Sequence, residues 1–153
     1  MIQRIQSVYL FVAAALTFCL YALPFASVEM IRTPWPMKIT ACHLTTLPSI
    51  LFPRTIMLPL SAVTICAIAL CVVAIFLYRN RTNQMKVVKL SIALQAIVLI
   101  TMVAYYLYFI RFCVAGNPQI AIIFPIINII LLVLAYRGIK KDDDLVKSAD
   151  RLR

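Results

Sequence analysis

Apolar and polar positions in this chain do not alternate; they segregate into four long apolar runs joined by polar stretches. The runs cover about residues 5–28, 56–78, 87–110 and 118–136. Most reach the ~20 apolar residues that a helix needs to cross bilayer hydrocarbon. This pattern predicts an all-α integral membrane protein with four transmembrane helices, in which residues 1–141 form one membrane domain. A cleaved signal peptide is the rival reading of the first run, with Arg4 as its charged head. Its apolar core exceeds the ~7–15 residues of a signal peptide, so the run reads as a span.

Punctuation within and between the runs refines the elements. Pro24 removes the hydrogen bond to the Leu20 carbonyl and predicts a kink or fraying at the end of the first helix. Residues 29–55 carry Pro34, Pro36, Pro48 and Pro53 and read as an extended, turn-rich outer loop, with Trp35 and Phe52 suited to the interface. Pro59 fits the first turn of the second helix. Tyr105, Tyr106, Tyr108 and Phe109 close the third run as an aromatic belt before Arg111. Asn117-Pro118 reads as an N-cap and N1 pair opening the fourth helix, and Gly138 as the C′ residue that ends it. Residues 142–153 then predict a separate short amphipathic helix. Asp142, Asp143 and Asp144 suit its N-terminus, and Leu145, Val146, Ala149 and Leu152 fall on one face.

Charge supplies the orientation. The segment Arg79–Lys89 carries four cations and no acid between two apolar runs, and short loops of this kind stay on the cytoplasmic side. With it inside, eleven Lys and Arg lie on the cytoplasmic side and four (Arg32, Lys38, Arg54 and Arg111) lie outside, so both termini are expected inside. The chain has a net charge of +10, yet 64% of it is hydrophobic. The cations sit at span ends, where topology and anionic headgroups account for them, and nucleic acid is not an expected partner.

Candidate chemistry is sparse. Gln95 and Asn128 are the most polar side chains within the runs, and an amide in hydrocarbon faces the bundle to find a partner. Packing is the simpler reading; a substrate or ion site is the alternative, helped by the Ala121 carbonyl that Pro125 leaves free. No acid lies within a span to couple protons or cations. Of five cysteines, Cys19, Cys66 and Cys71 read as small hydrophobes. Cys42 and Cys113 lie in outer loops and form a candidate disulfide. His43 is the single histidine, with no ligand spacing around it, so no metal is expected. No nucleotide loop, catalytic triad, CxxC pair or cofactor motif is present.

The opening Met1-Ile-Gln-Arg-Ile-Gln-Ser-Val-Tyr-Leu10 and the ending Arg137-Gly-Ile-Lys-Lys-Asp-Asp-Asp-Leu-Val-Lys-Ser-Ala-Asp-Arg-Leu-Arg153 resemble a family of small four-span inner-membrane proteins from Bacteroidetes, catalogued as a domain of unknown function. The resemblance implies a Gram-negative inner membrane with periplasmic outer loops, and no activity. The leading expectation is therefore a non-enzymatic accessory or scaffold protein, embedded in the bilayer, that contacts a protein partner through its cytosolic face; a homo-oligomer is the alternative to a separate partner. A small transporter or channel component with its site at Gln95 and Asn128 is the alternative. A thiol-redox protein using Cys42 and Cys113 is the third reading.

Overall fold

The computed structural model describes residues 2–29, 37–40, 44–45, 58–111 and 115–151. Trp35, Cys42, His43, Cys113 and Leu152 lie outside the described residues, and so does the expected Cys42–Cys113 pair. Four helices dominate: α1 (Ile2–Ala22), α2 (Leu58–Phe76), α3 (Arg81–Ile110) and α4 (Phe124–Arg151). Among the described residues three segments, Leu58–Phe76, Arg81–Ile110 and Ile120–Ser148, are long and apolar enough to cross a membrane, and the apolar part of α1, Gln6–Tyr21, is shorter.

The helices pack as a square, with α1 against α2 and α4, and α3 against α2 and α4. Each helix faces inward along a seam spaced three and four residues apart, the pattern of coiled-coil cores. On α3 the buried positions are Gln84, Val88, Ser91, Gln95, Val98, Met102 and Phe109. On α4 they are Pro125, Asn128, Leu132, Ala135, Ile139 and Asp142, with Ala121 of the preceding 3-10 turn continuing the row. Ala13, Ala14, Ala67, Ala74 and Ala135 lie on these seams, and such small residues let backbones approach where lipid supplies no hydrophobic drive between helices.

The α4 seam explains two departures from the expected elements. It runs unbroken through Gly138 to Asp142, so Gly138 does not end the helix, and the expected separate tail is the end of α4 itself. Asp142, Asp143 and Asp144 accordingly lie well inside a helix rather than at an N-terminus. The expected basic loop is also mostly helix. A 3-10 turn, Leu77–Arg79, ends the second helix, and Asn80 alone separates that turn from α3, because Gln84 and Val88 already belong to the α3 seam.

The chain is predominantly helical, as expected, and among the described residues a small sheet is added to the helices. Four short strands, β1 (Pro24–Glu29), β2 (Met37–Thr40), β3 (Leu44–Thr45) and β4 (Ala115–Pro118), form an antiparallel sheet in the order β3-β2-β1-β4. Pro24 does not kink the first helix; it opens β1, a strand position that tolerates proline. Asn117 and Pro118 belong to β4, pairing with Ser27 and Ala26, and do not cap a helix. Pro34, Pro36, Pro48 and Pro53 of the expected outer loop lie outside the described residues; its described parts, 37–40 and 44–45, are strands whose pairing satisfies backbone amides and carbonyls at the bundle's end. Phe25, Ala26 and Ile39 close that end, in one apolar cluster with Leu20, Val98, Met102 and Phe109.

Candidate functional site

Two apolar clusters fill the interior, and polar side chains stand where they meet. The sheet-end cluster includes Leu20, Val98 and Ala121; the cluster toward Asn80 includes Leu10, Ala13, Val88, Leu132 and Ile139. On α1, α3 and α4 the residues between the two are Thr17, Gln95 and Asn128, all buried. Thr64 of α2 is buried one turn to the sheet side of Ala67. Serine and threonine within the bundle bond back to their own helices, Thr64 to the Leu60 carbonyl at 2.7 Å and Ser91 to the Val87 carbonyl at 3.0 Å.

The seam is only partly satisfied. The Thr17 hydroxyl donates to the Ala13 carbonyl at 2.8 Å and accepts from Asn128 Nδ2 at 2.9 Å, which joins α1 to α4. Asn128 Oδ1, Gln95 Nε2 and Gln95 Oε1 are buried with no hydrogen-bond partner. Gln95 is 1% exposed and Asn128 0%. The two amides expected as a polar pair thus both face the interior at this seam, with no bond between them. The Ala121 carbonyl is not free as expected, because a 3-10 turn precedes α4 and the Phe124 amide donates to it.

A second polar layer lies at the Asn80 end, and the sequence reading missed it. Gln6 Nε2 donates to Asp142 Oδ2 at 2.7 Å, with both residues buried. Arg81 Nη1 donates to the Asp142 carbonyl at 3.0 Å, and Gln84 Nε2 donates to the Ala74 carbonyl at 3.0 Å. Gly138, one turn before Asp142, makes the first of these contacts sterically feasible. A Cβ there would come within 3.0 Å of Gln6 Cγ. The available signal was the spacing of Gly138 and Asp142 along the α4 seam.

Beyond Asp142 the helix stands clear of the bundle. Residues 144–148 are exposed on every side, with Leu145 54% and Val146 44% exposed. An open groove of about 360 Å³ runs beside them, lined by Arg137, Lys140, Lys141, Asp144 and Leu145. Among the other candidates, Cys71 is buried while Cys19 and Cys66 are exposed and free, and Ala149 lies in the last turns of α4. Among the described residues no group of three or more His, Cys, Asp or Glu is placed to hold a metal.

An antiparallel bundle of apolar helices, with polar groups turned inward and long helices of bilayer-crossing length, defines a helical membrane protein. The chain belongs to the family described as a domain of unknown function, DUF4293, whose model matches residues 2–152. No curated protein and no solved structure matches it significantly.

Proposed function

We propose that this protein is a non-enzymatic accessory subunit of the bacterial inner membrane, docking an acidic, partly apolar protein surface with the projecting end of α4. In this reading all four helices cross the bilayer and both termini lie in the cytoplasm. Support for α1 as a crossing comes from its bonds to α4 at two levels, Gln6 to Asp142 and Thr17 to Asn128. Exposed cations gather at the Asn80 end, where Lys89 lies 5.3 Å from the centre of the Tyr136 ring and Arg137, Lys140 and Lys141 follow, as expected of a cytoplasmic boundary.

The observation that carries the docking role is the exposure of Leu145 and Val146 on a helix end that nothing in the described chain covers. Continuity with the packed part of α4 removes the cost of nucleating this segment, which in isolation is too short to be stable. The groove cations favour an acidic partner. Asp143 and Asp144 beside the apolar pair disfavour anionic lipid as the occupant.

The test compares wild type with Leu145→Asp/Val146→Asp, recovered from native membranes after reversible crosslinking. Both substitutions fall at exposed positions, so abundance should be unchanged. One stoichiometric partner should be lost, and recovery of the same partner by the variant refutes the reading.

A further inference from the structure

We propose that the seam between the two apolar clusters binds water, which bridges the side-chain amide of Gln95 to the Asn128 carbonyl oxygen. Internal contacts place these residues at one depth. Arg81 of α3 meets Asp142 of α4. Gln95 lies fourteen residues along α3 from that contact, and Asn128 fourteen residues back along α4. At 1.5 Å per residue Gln95 lies about 21 Å along α3 from Arg81 and Asn128 about 21 Å along α4 from Asp142. The Gln84–Ala74 bond registers α2 in the same way. Gln95 is eleven residues from Gln84, and Thr64 ten residues from Ala74, which adds a hydroxyl near that depth.

The unpaired atoms define the ligand. Gln95 presents two N–H donors and a carbonyl acceptor, and Asn128 presents a carbonyl acceptor. The bound molecule must therefore donate and accept at once. Thr17 cannot take this role, since its proton goes to Ala13 and it already accepts from Asn128. No ionisable side chain stands among Thr17, Thr64, Gln95 and Asn128, so an ion would be desolvated there without a counter-charge. A neutral molecule fits the donor set, and the apolar clusters on both sides confine its hydrogen bonds to the seam. Water meets these requirements, and buried water commonly makes about three such bonds. The inference does not depend on the docking role of α4.

The experiment uses the full chain, isotope-labelled in lipid nanodiscs, and measures magnetisation transfer from the water line to side-chain amides by NMR. Transfer should reach the Gln95 and Asn128 amides and be lost at the backbone amides of Val88 and Val98, which lie in the apolar clusters. In Gln95→Leu the transfer to Asn128 should fall. Wild type alone decides the matter if that variant does not fold. A direct through-space contact between the two amides without water transfer overturns the proposal. Transfer to Gln95 from non-exchanging ligand protons, rather than from water, overturns it too.

Discussion

Replacing Gly138 with alanine tests the packing at the Asn80 end, and its sign should depend on a residue of another helix. Glycine inside a helix costs about 0.8–1.0 kcal/mol relative to alanine. In isolation Gly138→Ala would therefore stabilise α4. The new Cβ, however, would come 3.0 Å from Gln6 Cγ and 3.4 Å from Gln6 Nε2. Gln6 has little freedom to retreat, because it is buried and donates to Asp142 at 2.7 Å. A hydrogen bond to a charged acceptor contributes about 1.5–3 kcal/mol, so disturbing it outweighs the helical gain. The net expectation in wild type is a loss of about 0.5–2 kcal/mol. In a Gln6→Ala background the three atoms nearest that Cβ are gone, and the same substitution should stabilise by up to about 1 kcal/mol. Equilibrium unfolding in mixed micelles, followed by circular dichroism, measures all four corners of this cycle. An effect of Gly138→Ala with the same sign and size in both backgrounds refutes the account.

Two further outcomes are expected. Gln84 is buried and holds one of the last carbonyls of α2, so Gln84→Leu should cost about 0.5–1.5 kcal/mol, and Gln84→Glu should cost more, because it sets an acceptor against an acceptor; equal losses in the same unfolding assay would contradict this. For orientation, single thiols placed at exposed Asn83 and Lys147 in a cysteine-free chain should resist a membrane-impermeant reagent in intact spheroplasts, while one at Lys38 on β2 should react. Labelling at Asn83 would reverse the topology.

The helices were legible because each apolar run is long and bounded by charge or proline. Their ends were not, and α4 shows why. Gly138 carries the usual terminator signal, but the inward series Leu132, Ala135, Ile139 and Asp142 continues through it, and packing overrode the local preference. The same competition turned Arg81–Lys89 from loop into helix. In the sheet, Asn117-Pro118 matches a cap motif locally, yet its partners Ser27 and Ala26 are about ninety residues away, a pairing that local pattern does not encode. Gln95 and Asn128 were legible as inward-facing amides because hydrocarbon leaves them little choice. The Gln6–Asp142 contact was hidden because the acids looked like a helix start.

Between apolar helices in lipid the hydrophobic effect favours no vertical register over another, so polar contacts must supply it. Sliding α1 along α4 by one heptad, about 10 Å, would break both Gln6–Asp142 and Thr17–Asn128. The Gln84–Ala74 bond fixes α3 against α2 in the same way, and Arg81 fixes it against α4. Register therefore accounts for Gln6, Gln84 and the Nδ2 of Asn128. It does not account for Gln95, whose amide among the described residues is buried and bonds to nothing. An amide left so costs about 1–3 kcal/mol, and leucine at that position would fill the seam without the penalty. That unexplained cost separates Gln95 from the packing residues and marks it as the position where a bound molecule, rather than the fold, is the physical reason for the side chain.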